Sequence, residues 1–239
     1  MPLLEVQGLT KHFGGLAAVS GLDFDVNVGE FVSIIGPNGA GKTTTFDVIS
    51  GFERPSQGTI KFGGEDIVGL SPHKISRKGI GRTFQIVRPF LSMSVLDNVL
   101  VAAFSKLSRN EARQYAMEIL EFTGLQDMRD RPARELTLPS RKRLEIARAL
   151  ATQPRLLLLD EVFAGLNPTE TEETISLIAK MRERGVSAAA GVEHIMKVVM
   201  TISDRIIVLH LGKKIAEGTP REVAKDLRVI KAYLGEEYT

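Results

Sequence analysis

The sequence predicts an α/β fold with a mixed β-sheet and an inserted α-helical subdomain. Apolar and polar residues alternate as in strands towards both ends of the chain, whereas apolar residues recur at helical spacing between about residues 86 and 155. The 239 residues, 43% of them hydrophobic, can bury a sizeable core. We therefore predict one domain, residues 1–239, with a core of residues 1–85 and 156–239 and a helical subdomain of residues 86–155.

The composition excludes several classes of protein. Lysine and arginine number 31 against 29 acidic residues, so the net charge of +2 gives no global positive field that would favour nucleic acid, and a local basic patch is the open alternative. We expect no nucleic acid partner. The chain contains 0 cysteines, which excludes disulfides, thiolate metal sites and cysteine nucleophiles. Residues 1–8 do not resemble a signal peptide, and no apolar run approaches the roughly 18 residues that span a membrane. We expect a protein of the reducing cytoplasm that does not cross a membrane by itself.

Each predicted element has a local signal. Alternation predicts strands over Leu4 to Leu9 and Leu22 to Val28, and a short apolar run predicts a buried strand over Phe31 to Ile35. Helices are predicted from the capping pair Ser108 and Glu111 to Gly124, and from near Pro139. The remaining predicted elements are a buried strand over Leu156 to Leu159, a helix from Asn167 and Pro168 to Gly185, a strand over Val186 to Val192, a helix from about His194, and a hairpin of Arg205 to Leu209 with Lys213 to Glu217.

A glycine-rich segment follows the predicted strand that ends at Ile35. It fits the pattern G-x-x-x-x-G-K-[ST], in which backbone N–H groups surround phosphates, the lysine (Lys42) reaches the terminal phosphates and the hydroxyl of Thr43 holds Mg²⁺. A chance glycine turn, the alternative, does not account for the strand before it and the helix after it. The pattern predicts a P-loop NTPase core whose nucleotide-binding residues are Gly36, Pro37, Asn38, Gly39, Ala40, Gly41, Lys42, Thr43 and Thr44.

Two adjacent carboxylates follow the run of four leucines. In a nucleotide site Asp160 would hold the Mg²⁺ shell, and Glu161 would orient or deprotonate the attacking water. The alternative is a strand that simply emerges into solvent.

With these two motifs about 120 residues apart and a helical block between them, the chain resembles the nucleotide-binding subunits of ATP-binding cassette (ABC) transporters over nearly its whole length. The resemblance implies that Phe13 stacks on adenine, although an ordinary core phenylalanine is an alternative. It also implies that Gln85 approaches Mg²⁺ and the water, that His194 contacts the γ-phosphate, and that Ala164 to Asn167 meets a partner subunit. The implied catalytic residues are Lys42, Gln85, Glu161 and His194, and the implied metal ligands are Thr43, Gln85 and Asp160.

The sequence departs from the family at one motif. Where the family has Leu-Ser-Gly-Gly-Gln, which covers the ATP of the other subunit, this chain reads Leu136-Thr137-Leu138-Pro139-Ser140. Thr137 keeps a hydroxyl, and Pro139 suits the first helical position but has no N–H to donate. We expect Thr137 and Leu138 to hold the partner's γ-phosphate with fewer donors and weaker closure. The basic residues 141–143 face either a phosphate or acidic partner or, the preferred hypothesis, solvent.

The resemblance implies an ATPase that binds ATP and Mg²⁺ and forms a head-to-tail homo- or heterodimer. It would energise separate transmembrane permease subunits at the cytoplasmic face of the membrane. The implied permease face comprises Arg82 to Phe90 and Val95 to Ala103, although subdomain core is an alternative.

The closing segment Val229 to Glu237 looks like that of importers of branched-chain amino acids or related solutes such as amides or urea, which implies a solute-binding protein as an indirect partner. Two alternatives stay open: a soluble ABC ATPase acting on ribosomes or nucleic acid, and an ATP-gated regulatory module with little turnover.

Overall fold

The computed structural model describes residues 1–84, 89–191 and 196–234, the side chains of 188–191 excepted. The chain divides into two compact units, Met1–Ile75 with Ser187–Thr239 (unit 1) and Ser76–Val186 (unit 2). The strands and helices of the described residues follow in this order: β1 Leu4–Phe13, β2 Leu16–Val26, β3 Phe31–Ile35, α1 Lys42–Ile49, β4 Gln57–Phe62, β5 Glu65–Asp66, α2 Pro72–Lys78, β6 Ile80–Arg82, α3 Val95–Ala103, α4 Arg109–Phe122, α5 Leu138–Ala151, β7 Leu156–Asp160, α6 Pro168–Glu183, β8 Ser187–Gly191, α7 Met196–Ile202, β9 Arg205–His210, β10 Lys213–Gly218, α8 Pro220–Val223 and α9 Leu227–Leu234.

Unit 1 confirms the predicted mixture of parallel and antiparallel pairing. Its antiparallel strands follow the order β2-β1-β4-β5, and β3 lies between β8 and β9 and is parallel to both. The predicted hairpin is formed by β9 and β10. The first two strands extend over more residues than alternation predicted, because their pairing continues past irregular positions. Val28, the predicted end of the second strand, lies beyond β2 and is exposed.

Unit 2 contains the parallel pair β6 and β7 and the helices α3 to α6. Ser108 and Glu111 form the predicted capping box of α4, and Asn167 with Glu170 forms one at α6. Helix α5 begins one residue earlier than predicted: Thr137 is its N-cap, so Pro139 is its second helical residue and not its first. Helices α3, α4 and α5 lie inside the range 86–155, whose boundaries as a subdomain remain a proposal.

Arg205 of β9 lies among three carboxylates of unit 1. Its guanidinium donates to Glu30 at 2.8 and 3.1 Å and pairs with Asp25 and Glu217. Burial acts to raise the pKa of Glu30, but the hydrogen bonds that it accepts, first among them those from Arg205, lower the pKa below its ordinary 4.5. Hydrogen bonds from Lys214 and Arg205 likewise outweigh burial and lower the pKa of Glu217.

The cluster around Arg205 predicts a pH dependence of stability. Because the pKa values of Glu30 and Glu217 are lower in the folded state, their contribution is present above about pH 4.5 and is lost as the pH falls through the folded values. We expect Arg205→Gln to lower the free energy of unfolding at pH 7 by about 1 kcal/mol, a modest loss because water screens the charges of the cluster. The free energy of unfolding of the variant should also fall less steeply than that of wild type between about pH 5 and 3. Urea titrations at several pH values measure both, with Arg129→Gln, from the exposed pair with Asp130, as the control. An unchanged slope would contradict this prediction.

Candidate functional site

The glycine-rich loop lies between β3 and α1, as predicted. Strand β3 is buried along its whole length, and α1 begins at Lys42. No side chain caps the amino end of α1, where Gly41 is the N-cap residue, and its first turn contains no acidic residue. No acidic or capping side chain of α1 therefore neutralises the positive end of the helix dipole or accepts from the first backbone N–H groups. This arrangement suits a phosphate group.

Lys42 is the cationic residue of the loop. Lys42 is buried, with only 6% of its surface exposed. The ammonium donates to the carbonyl oxygens of Gly36 at 2.5 Å and Pro37 at 2.7 Å. The loop backbone thus holds the charge at the start of α1, where it can contact the oxygens of a bound phosphate.

Two glycines of the loop approach neighbouring backbone too closely for a side chain. A Cβ added at Gly36 would lie 2.0 Å from the carbonyl oxygen of Leu209, and one added at Gly41 would lie 2.4 Å from that of Ala18. Both glycines also have positive φ, +152° and +101°, a conformation that other residues rarely adopt. The loop therefore packs against β9 and β2 through glycine backbone.

We expect Gly36→Ala to lower the free energy of unfolding by about 2 to 4 kcal/mol, because the added methyl group meets a strand carbonyl and not a flexible side chain. Urea denaturation monitored by circular dichroism measures the loss. Gly15→Ala is the matched control, because a Cβ there meets nothing within 4 Å. Equal free energies of unfolding for Gly36→Ala and Gly15→Ala would contradict this prediction, because they would show that the loop accommodates the methyl group without loss of stability.

Helix α9 packs in unit 1 beside the strand that leads into this loop. Burial raises the pKa of the Tyr233 phenol, and a smaller opposing effect comes from a hydrogen bond with the backbone of Gly36. Val229, one turn earlier, packs in the same buried cluster as Ile35 and Val208. Sequence reasoning used this closing segment only as a sign of transporter type and missed its packing against Ile35, the residue that precedes the loop.

Phe13 ends β1, and its side chain is not part of the core. The residue is 46% exposed, so the alternative of an ordinary core phenylalanine is wrong. The ammonium of Lys11 lies 4.7 Å from the centroid of the ring and also donates to Glu53 at 2.8 Å and to the carbonyl oxygen of Arg54 at 3.0 Å. An exposed ring held in this way can stack on a planar base.

Asp160 and Glu161 occupy the end of β7 and the turn that follows it. Asp160 is 2% exposed and pairs with the guanidinium of Arg82 at 3.1 Å. Its backbone N–H donates to the hydroxyl of Thr83 at 3.0 Å. Glu161 is partly exposed and has a φ of +47°, in the left-handed region. The hypothesis that both carboxylates simply emerge into solvent is wrong for Asp160.

The ion pair of Arg82 with Asp160 also corrects the predicted permease face. The Arg82 side chain is only 6% exposed, so it does not belong to an exposed surface. Phe84 and Phe90 of the same predicted stretch are exposed. Sequence reasoning missed the ion pair because 78 residues separate its two members.

The amino end of α5 contains the predicted departure from the family. The Thr137 hydroxyl accepts from the N–H of Ser140 at 3.5 Å, and Leu138 is exposed. The preferred hypothesis of a solvated basic face is wrong for Lys142, which is 7% exposed. Its ammonium donates to the carbonyl oxygens of Glu161 at 2.9 Å and Val162 at 3.3 Å.

The two basic neighbours of Lys142 also interact with other residues of unit 2. Arg141 donates to the carbonyl oxygen of Arg134 at 2.6 Å, and Arg143 pairs with Glu173 of α6.

The residues of the predicted site are distributed between the two units: the loop and Phe13 belong to unit 1, and the carboxylates and the start of α5 belong to unit 2. Gln85 and His194 lie outside the described residues.

Comparisons with known proteins agree with this arrangement of motifs. The family described as "ABC transporter" matches residues 19–164, and the one described as "Branched-chain amino acid ATP-binding cassette transporter" matches residues 213–239. The chain therefore belongs to the ABC transporter family. It is an ATPase subunit that binds ATP and couples its hydrolysis to transport, as a component of a transporter complex.

Within that family the chain is of the branched-chain amino acid type. It is 47% identical to the "High-affinity branched-chain amino acid transport ATP-binding protein BraF" of Pseudomonas aeruginosa, with 98% of each chain covered. It is 44% identical to the corresponding protein LivG of Escherichia coli, again over 98% of each. The solved ADP conformation of MJ1267, an ATP-binding cassette of an ABC transporter, is 32% identical, with a TM-score of 0.89 over 99% of this chain and 100% of that one. In the described part of the chain, no helix has the length and apolar character needed to span a membrane.

Proposed function

We propose that this chain is the ATP-hydrolysing subunit of an importer of branched-chain amino acids or related small polar solutes. The observation that carries the proposal is its likeness, over nearly its full length, to transport proteins for branched-chain amino acids. The match at residues 213–239, which include α9, supports the same solute class.

In unit 1 the loop residues bind the phosphates of ATP, and Lys42 neutralises charge on the terminal phosphates. The amino end of α1 and the buried ammonium support this role. Thr44, partly buried in the first turn of α1, donates to the same phosphate chain. Phe13 stacks on adenine through the ring face that Lys11 does not cover.

In unit 2 Glu161 orients the attacking water and accepts its proton. Phosphoryl transfer depends mainly on positioning and electrostatic stabilisation, so the placement of this carboxylate sets the rate of hydrolysis. Thr137 and Leu138 contact the γ-phosphate of the nucleotide bound by a partner subunit. The Thr137 hydroxyl accepts from the N–H of Ser140 at 3.5 Å and donates to the Ser140 hydroxyl at 3.2 Å, so a γ-phosphate oxygen would replace Ser140 as the acceptor of its proton.

The oxygen donors on this chain fit Mg²⁺, which prefers hydroxyl, carboxylate and phosphate oxygens. Thr43 is an exposed residue with a hydroxyl at the start of α1, and Asp160 has a buried carboxylate at the end of β7 that pairs with Arg82. Among the described residues no group of three acidic or histidine side chains could hold a metal ion. When bound, Mg²⁺ would neutralise phosphate charge. Gln85 and His194 complete the proposed site as the resemblance implies, next to the metal and the γ-phosphate respectively.

The proposed partners are a second ATPase subunit, identical or homologous, and separate transmembrane permease subunits at the cytoplasmic face of the membrane. A solute-binding protein acts with the permease. Exposed apolar side chains of unit 2 support a permease surface there: Phe84, Phe90, Leu91, Val101 and Phe104. Helix α3 buries Val95 and Val99, so its other face alone is available for docking.

Gentle purification of the tagged chain from its native cells tests this proposal. We expect a multispanning permease to copurify, and the solute-binding protein of the same complex to bind branched-chain amino acids in calorimetry. Recovery of ribosomes or nucleic acid without a permease would overturn the transporter role. Recovery of a permease whose binding protein prefers a different solute would overturn the solute class alone.

A further inference from the structure

Lys142 is a buried cation that the functions proposed above do not use. It lies in the second turn of α5, and its ammonium donates to the two consecutive carbonyl oxygens of Glu161 and Val162, at 2.9 and 3.3 Å. A buried ammonium is stable only when hydrogen bonds replace its water. These two carbonyls provide such bonds, so Lys142 connects α5 to the turn that follows β7.

That turn has an unfavourable backbone conformation at the residue that bears the reactive carboxylate. Glu161 has a φ of +47°, which costs a residue with a side chain roughly 1 kcal/mol or more. Its carbonyl oxygen accepts from the N–H of Ala164 at 3.2 Å as well as from Lys142. Because the carbonyl and the side chain extend from the same residue, contacts that fix the peptide plane also fix the direction in which the Cα–Cβ bond of Glu161 leaves the turn, and so limit where the carboxylate can lie.

The start of α5 contacts the same loop from a second position. A methyl group of Leu138 lies 3.3 Å from where a Cβ at Gly165 would be, four residues after Glu161. Further along the helix, Arg143 pairs with Glu173 of α6. Helix α5 therefore carries at its amino end the segment that departs from the family pattern and, one turn later, the lysine that holds the Glu161 turn.

We propose that Lys142 is a positioning residue for hydrolysis: it holds the Glu161 turn in its left-handed conformation and couples the placement of the carboxylate to helix α5. This inference rests on the proposed role of Glu161. Lys142 acts through the backbone of the Glu161 turn, to which its ammonium donates. Its effect appears in the rate of the chemical step and not in nucleotide affinity.

The test replaces Lys142 by methionine, which keeps the length of the side chain but removes the donors. In the assembled transporter complex, we expect ATP turnover at saturating ATP to fall about 30- to 100-fold, the effect of a catalytic group displaced by roughly 1 Å. The dissociation constant for ATP should stay within about threefold of wild type. Lys142→Gln, whose amide can donate to one carbonyl, should recover part of the rate.

Arg143→Met is the matched control, because it removes the same charge from the next position of α5 and breaks a pair with Glu173 of α6 that does not involve the Glu161 turn. We expect its turnover to stay within about twofold of wild type. Thermal melting of every variant, together with the number of ATP molecules bound per complex, separates a slow enzyme from an unfolded one.

Glu161→Gln distinguishes failure of this inference from failure of the proposed function. If Lys142 acts through Glu161, then adding Lys142→Met to Glu161→Gln lowers the residual rate no further. Wild-type turnover in a folded Lys142→Met complex, or a further loss in the double variant, would overturn the role of Lys142. Full turnover in Glu161→Gln would instead overturn the assignment of Glu161 itself.

Discussion

Replacing Lys42 by alanine is expected to abolish useful ATP binding, with a loss of affinity of at least 100-fold. The variant removes a buried ammonium that the carbonyl oxygens of Gly36 and Pro37 hold at the start of α1. Charge-assisted hydrogen bonds to a phosphate contribute about 3 kcal/mol, and each 1.4 kcal/mol is a factor of ten. Isothermal titration of the purified subunit with Mg-ATP measures the change.

Lys61→Ala is the control for this prediction, because Lys61 is an exposed lysine of β4 in the same unit. We expect it to bind ATP as wild type does. Circular dichroism and thermal melting establish that Lys42→Ala is folded. A folded Lys42→Ala protein with ATP affinity within threefold of wild type would contradict the role of the loop lysine.

Replacing Glu161 by glutamine is expected to separate binding from chemistry. ATP affinity should stay within about threefold, because the variant leaves the loop of unit 1 unchanged. Turnover in the transporter complex should fall at least 100-fold, because an amide cannot accept the proton of the attacking water. Steady-state phosphate release and equilibrium ATP binding, measured on the same preparation, test the two halves of the prediction.

Glu172→Gln, an exposed position of α6 in the same unit, is the matched control and should hydrolyse ATP at the wild-type rate. Strong turnover in Glu161→Gln would contradict the assignment of Glu161 as the base. Equal, near-zero rates in the wild-type complex and in the variant would favour an ATP-gated regulatory module over an active ATPase.

Much of the fold could be predicted because its signals are local. Strand β3 has its predicted bounds, and the capping boxes of α4 and α6 form between residues three apart. The hairpin of β9 and β10 likewise depends on neighbouring residues. Helix α5 starts one residue before the predicted position, because proline suits either of the first two helical positions and the capping hydroxyl of Thr137 decides between them.

Interactions between distant parts of the chain could not be predicted in this way. Arg82 and Asp160 pair across 78 residues, and nothing near either one in the sequence signals the other. The three consecutive basic residues of α5 look alike in sequence, yet only Lys142 is buried. A helix directs adjacent residues about 100° apart, so one can face the interior while its neighbours reach the surface.

The sequence by itself determined the α/β class, the glycine-rich loop with its lysine, the pair of carboxylates after a leucine strand, and through them the family. These features depend on residue type and spacing along the chain. The tertiary structure alone decided that Phe13 is exposed, that Asp160 is paired with Arg82, that Val229 packs with Ile35 beside the loop and that Lys142 donates to the Glu161 turn. The physical reason is that burial and pairing are properties of packed surfaces, which form only when segments far apart in sequence come together.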